Sequence, residues 1–172
     1  FEVKLEEFDL IIFDRYRRRG VLPPSYLRNI VDYIDEGGAF LEAVGPAFAG
    51  PYSIYRTPLG KALPGEPTGD VINRGFRPTL TEIGQRHPVT AGLAPHKEKQ
   101  NWGRWFRQID ITVKQGRVLM NGVEDRPLLI LNRFGKGRVA QLNSDHIWLW
   151  ARGFDGGGPQ AELLRRLAHW LM

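Results

Sequence analysis

Asp145 and His146 stand side by side in a stretch that reads NSDHIWLWARGFDGGGPQ. A histidine next to a carboxylate can serve as a general base, with the acid orienting its ring, or contribute to a metal site. A metal is not expected, because His87, His96 and His169 sit in no ligand spacing around it. Catalysis would also need a nucleophile. Ser144 is the neighbour, but adjacent residues of a strand point to opposite faces. The alternative reading is a hydrogen-bonded structural corner, with Trp148 and Trp150 packed beneath it.

Residues 153–158 (GFDGGG) precede Pro159 and a helical pattern. Glycines before a proline at the first helical position expose backbone N–H groups that attract anions. The same glycines serve equally as a connection that needs positive φ. Gly135-Lys136-Gly137 lacks the GxxxxGK[ST] spacing of a phosphate loop and continues into an apolar run, so it reads as a hairpin turn. No cofactor motif is present, and no cofactor is expected.

The elements that must carry these residues are clearest at the two ends of the chain. Residues 8–13 (FDLIIF) form a continuous apolar run, expected as a strand buried on both faces and ending at Asp14-Arg15. Pro23-Pro24-Ser25 opens a helix with Tyr26, Leu27, Ile30, Val31 and Ile34 on one stripe, stopped by Gly37-Gly38. Residues 39–44 (AFLEAV) make the next strand and end at Gly45-Pro46, so the three elements predict a right-handed βαβ unit.

The middle is less regular. A short helix broken by Pro58 is expected in residues 51–64 and an edge strand in residues 76–83. Residues 102–111 read as a helical turn running into a strand. Residues 128–132 and 138–142 flank the hairpin turn, and residues 161–172 form an amphipathic helix. The expected fold class is α/β: a three-layer, mostly parallel flavodoxin-like sheet with an antiparallel hairpin near the C-terminus, in one domain spanning 1–172.

The 172 residues include 42% hydrophobic and 25% charged side chains, ordinary values for a globular domain. The chain has no cysteine, which excludes disulfides, thiolate metal sites and a cysteine nucleophile within it. No run reaches the roughly 18 apolar residues of a membrane span. The formal charge is +5, with arginines gathered at Arg15, Arg17, Arg18, Arg19, Arg165 and Arg166. They read as a solvated basic loop and helix face, or as a surface for an anionic ligand, an anionic membrane or an acidic partner. No nucleic-acid module accompanies them.

FDLIIFD, EGGAFLEAVGP and FGKGRVAQLNSDH, in this order, resemble the class I glutamine amidotransferase-like superfamily. The ending SDHIWLWARGFDGGGPQAELLRRLAHWLM, with GPYSIYRTPLGKALP and RHPVTAGL, looks like the amidotransferase-like domain of bacterial inner-membrane proteins. The resemblance implies an elbow cysteine after residues 39–44, where this chain has Gly45-Pro46. It also implies a catalytic histidine at His146, with Asp145 the nearest acid. Without the cysteine, thioester chemistry on glutamine cannot run.

The resemblance further implies a sheet strand upstream of Phe1 and a soluble domain tethered to a bacterial inner membrane, its side undetermined. The expectation is therefore a catalytically degenerate module that binds a small anionic ligand or a protein. Its crevice would be lined by Asp14, Arg15, Gly45, Pro46, Asp145, His146, Trp148, Arg152, Gly156, Gly157 and Gly158. The alternative is an enzyme in which His146 and Asp145 act without a cysteine.

Overall fold

The apolar run at residues 8–13 becomes a strand that alternates rather than one buried on both faces. In the computed structural model, which describes residues 4–18, 20–93 and 101–172, β1 spans Ile11–Asp14 with Ile11 and Phe13 buried and Ile12 and Asp14 exposed. The alternation follows from position, because β1 is an edge strand and pairs only with its inner neighbour.

Helix α1 (Pro24–Glu36) starts with proline in its first turn and buries Leu27, Ile30, Tyr33 and Ile34. It closes on Gly37 at φ 131°, a backbone geometry that suits glycine. Strand β2 (Ala39–Ala43) then runs parallel to β1, Ile11 opposite Phe40 through Asp14 opposite Ala43. This is the expected βαβ unit.

After β2 the chain turns through three short 3-10 segments, at Pro46–Ala49, Ile54–Arg56 and Pro58–Lys61. It then forms β3 (Gly65–Ile72), β4 (Thr79–Leu80) and the short helix α2 (Glu82–Arg86). Strands β5 (Gln108–Val113), β6 (Arg117–Asn121), β7 (Pro127–Phe134) and β8 (Gly137–Leu142) follow. Helices α3 (Trp148–Ala151) and α4 (Gln160–Leu171) end the chain.

The main sheet has the order β1-β2-β8-β7-β6-β4, and β3 and β5 form a second, two-stranded sheet. Only β1·β2 and β2·β8 are parallel. The pairs β7·β8, β6·β7, β4·β6 and β3·β5 are antiparallel. The expectation of a mostly parallel, flavodoxin-like sheet is thus corrected: this is a mixed α/β fold in which antiparallel pairing predominates. The physical reason lies in the connections. Parallel neighbours need a long crossover, whereas β6, β7 and β8 are joined by tight turns that reverse the chain. One of these turns uses Gly135 at φ 55°.

Two apolar layers cover the main sheet. On one face Leu41, Leu129, Leu131, Ala140 and Leu142 pack with Leu163, Leu167 and Leu171 of α4 and with Trp102, Trp105 and Trp150. On the other, Phe40, Val44, Ile130 and Val139 pack with α1 and with Ile109 and Ile111 of β5. Because β1, β2 and β8 are parallel, their carboxy ends lie on one edge of the sheet.

Candidate functional site

That edge holds a crevice of about 450 Å³. Its floor is made by Leu41, Ala43, Leu142, Leu164 and Leu167, and its rim by Ile12, Asp14, Arg15, Asp145 and Trp148. Ile12 and Trp148 are about half exposed, at 55% and 49%. Two large apolar side chains therefore face solvent beside a pocket whose floor is already apolar.

Asp14 and Arg15 reach the rim because β1 ends there. Arg15 adopts φ 52° and still donates its backbone N–H to the Ala43 carbonyl at 2.8 Å. Non-glycine residues rarely adopt this backbone region. Gly45 lies directly behind Arg15: a Cβ placed on it would come within 3.1 Å of the Arg15 Cγ. Gly45 is extended and leads into the 3-10 turn at Pro46–Ala49. The elbow position therefore carries neither a nucleophilic side chain nor a proline N–H.

Asp145 and His146 make no hydrogen bond to each other. Asp145, with its side chain 7% exposed, pairs through Oδ2 with Arg107 Nη1 at 3.2 Å. Its other oxygen, Oδ1, is buried without a hydrogen-bond partner among the described residues. His146 Nε2 lies 3.8 Å from it, too long for a hydrogen bond.

His146 does not line the crevice. Its Nδ1 accepts the backbone N–H of Phe106 at 3.1 Å. Burial lowers its pKa; the Asp145 charge works against that shift and Arg107 adds to it. The imidazole is thus a neutral acceptor fixed to the main chain. Ser144 is occupied as well: its hydroxyl donates to the Arg107 carbonyl at 2.6 Å and accepts the His146 N–H at 3.1 Å. Asp145 and His146 thus hold separate partners rather than each other, Trp148 is half exposed rather than packed beneath them, and one carboxylate oxygen is left over.

The glycine loop makes close contacts of its own with the rest of the chain. Gly157 accepts the Gly103 N–H at 2.6 Å and adopts φ 67°, while Gly156 adopts φ 92°. A Cβ on Gly158 would meet the Trp150 indole at 2.4 Å. Asp155 in the same loop is engaged by Arg77 at 2.9 Å and Arg104 at 2.8 Å. Arg152 is exposed at the end of α3. Of the expected site residues, Asp14, Arg15, Asp145 and Trp148 line one crevice. Pro46, Arg152, Gly156, Gly157 and Gly158 do not line it, nor do Gly45 and His146.

The basic loop is divided. Arg15 faces the crevice, Arg17 lies over the Tyr52 ring at 5.5 Å, and Arg18 lines a separate cavity near Arg56. Arg19 lies outside the described residues. No group of three His, Asp or Glu side chains among the described residues is placed to hold a metal ion.

Two contributors escaped the sequence. Arg107 meets Asp145 across 38 residues of chain, a distance no local pattern encodes. Glu42, 1% exposed on β2, left a visible signal as the one charge inside an apolar run. Its pKa is pushed well above the usual carboxylate range, first by burial and then by the Asp14 charge.

No protein-family model matches the sequence, and no curated protein does. Solved structures match its fold. The cytoplasmic protein STM1381 from Salmonella typhimurium LT2 superposes with a TM-score of 0.79 at 22% identity, over 98% of this chain and 74% of that one. The cytoplasmic protein STM3548 from Salmonella typhimurium does so at 0.79 and 18%, over 98% and 73%. A ThuA-like protein from Parabacteroides merdae gives 0.65 and 14%, over 96% and 71%. At these identities the likeness is one of fold.

These findings also correct the placement in a bacterial inner membrane. No helix among the described residues is long and apolar enough to cross a membrane. Two structures sharing the fold are described as cytoplasmic proteins.

Proposed function

We propose that this chain is a catalytically silent, amidotransferase-like binding module whose crevice, at the carboxy ends of β1, β2 and β8, takes a small ligand or a partner side chain. The observation that carries this reading is the Asp145 Oδ1, buried at the rim of an apolar crevice without a partner among the described residues. A buried acceptor left unpaired is costly, and a ligand donor recovers that cost. Gly45-Pro46 supplies no nucleophile, and His146 is committed to Phe106, which supports binding over turnover.

The lining defines the ligand. Leu41, Leu142, Ile147 and Trp148 suit an apolar or aromatic body. Asp145 Oδ1 asks for an N–H or O–H at one end of it. A donor-bearing ligand therefore fits this rim better than the small anion expected from the sequence. No observation favours the alternative of an enzyme run by His146 and Asp145.

Titration of the protein with 2-phenylethylamine, set against 3-phenylpropanoate, tests the reading. The Trp148 indole resonance should shift saturably with the amine and not with the carboxylate, and Asp145→Asn should abolish the response. Equal responses to both compounds would refute the donor assignment. Turnover of L-glutamine or p-nitrophenyl acetate that His146→Ala removes would overturn the silent-module reading itself.

A further inference from the structure

The hydrogen bond from Phe106 fixes the tautomer of His146 as well as its position. Nδ1 accepts the Phe106 backbone N–H at 3.1 Å, so the single proton of the neutral ring sits on Nε2. That Nε2–H lies 3.8 Å from Asp145 Oδ1, about 1 Å beyond a charge-assisted hydrogen bond. Oδ1 is itself buried with no partner among the described residues. A donor and an unsatisfied acceptor thus stand close without meeting. Each is tied by its other end, His146 to Phe106 and Asp145 Oδ2 to Arg107 Nη1 at 3.2 Å.

Protonation releases one of these ties. A proton on Nδ1 would face the Phe106 N–H, donor against donor, so the imidazolium must turn away from it. The charges around the ring then decide where it goes. Asp145 attracts it, and Arg107, at the entry to β5, repels it. Arg104, over the Phe106 ring at 5.7 Å, is matched by Asp155 at 2.8 Å. Trp148 of α3 meets the imidazole edge-on at 6.5 Å and carries no charge. Asp145 Oδ1 is therefore the acceptor open to the imidazolium, and a bond between two ionised groups is roughly twice as strong as a neutral one.

We propose that His146 is a proton-driven latch on the crevice. Neutral, it leaves Asp145 Oδ1 open to the donor of a ligand; protonated, it leaves Phe106 and closes on that oxygen. An ammonium ligand and the imidazolium then compete for one carboxylate that Arg107 already shares. The latch rests on the reading of Asp145 Oδ1 as the acceptor of the crevice and adds the control of that site.

2-Phenylethylamine titrated into wild type and His146→Gln at several pH values from 7.5 to 5 tests it. Glutamine keeps an acceptor for the Phe106 N–H and takes up no proton. Wild-type affinity, read from the ligand-induced shift of the Trp148 indole at each pH, should fall below the His146 midpoint. The limiting slope is roughly tenfold per pH unit, that of one competing proton. The variant should bind equally well throughout. A wild-type affinity that does not fall, or an equal fall in both proteins, refutes the latch.

A ligand-free measurement separates the latch from the crevice reading. In the NMR spectra of wild type the Phe106 amide should move in step with the His146 titration. Asp145→Asn should lower the His146 midpoint, because the imidazolium loses its acceptor. An amide indifferent to that titration, or a midpoint unmoved in the variant, refutes the latch even where the amine binds. No response to the amine at any pH removes the binding reading instead, and these two signals still judge the latch.

Discussion

Gln141 on β8 and Gly65 at the start of β3 hold each other by a reciprocal pair of hydrogen bonds. The Gly65 N–H donates to Gln141 Oε1 at 2.9 Å, and Gln141 Nε2 donates back to the Gly65 carbonyl at 3.2 Å. The same Nε2 also reaches Asn143 Oδ1 at 2.9 Å. One fully buried side chain therefore joins the two sheets. Gln141→Leu should leave several buried polar groups unpaired and lower stability by about 2–4 kcal/mol. A shift of the urea midpoint checks this. A loss under about 0.5 kcal/mol, the range of an inert surface change, would show that the link contributes little.

Glu42 is expected to weaken the fold at neutral pH. Its folded pKa lies above the unfolded value, so the native state holds a proton that the unfolded chain gives up as pH rises past about 4.3. The sign is then fixed: stability from this group declines as pH rises from there toward the raised folded pKa. Glu42→Gln removes the ionisation and should be more stable than wild type at pH 7, on the order of 1–2 kcal/mol. The gap should narrow at pH 5. Denaturation curves at the two pH values decide it, and a wider gap at pH 5 would contradict the assignment.

His146 acts in the opposite sense. Its folded pKa is lowered by burial, so below about 6.5 the unfolded chain takes up a proton that the folded chain resists. Stability should fall as pH drops below that value toward the folded pKa, and a proton on Nδ1 would also end the Phe106 contact. His87 is lowered as well, by burial and then by Arg117, and contributes with the same sign. His146→Gln should flatten the dependence between pH 7 and pH 5. An unchanged slope would mean that His146 titrates alike in the folded and unfolded states.

Gly158 is required by contact. Gly158→Ala places a methyl into the Trp150 indole, which is 3% exposed and donates to the Gly103 carbonyl at 2.7 Å. The tryptophan cannot shift without losing that bond. The cost should be about 1–3 kcal/mol, typical of overpacking. The near-UV circular dichroism of the tryptophan cluster should change with it. An unaltered signal and midpoint would show that the loop yields instead.

The two ends of the chain were legible because they follow single periods. The stripe from Leu27 to Ile34 and the block AFLEAV gave α1 and β2 nearly to the residue. The turn at Gly135 marked the reversal between β7 and β8. The middle was not legible, since β3 contains Pro67 and Gly69 among exposed residues and bulges between Pro67 and Val71. Residues 102–111 yield β5, and no helical turn precedes it. Strands β3 and β5 are stabilised by each other from far along the chain, in a second sheet of their own. In the crevice, Asp145 and Trp148 could be seen in the sequence. Their relation to Arg107 and Ile12 required the fold.

The short strand β1 has a consequence for how large an assembly this sheet can join. Its outer side offers backbone groups over four residues only, from Ile11 to Asp14. At Arg15 the chain leaves the strand through a left-handed backbone. A long, flat border invites another chain to continue the ladder indefinitely, and a border this brief, ending in a charged turn, offers little template for such growth. The half-exposed Ile12 beside the crevice can then remain available to a ligand without seeding a fibre.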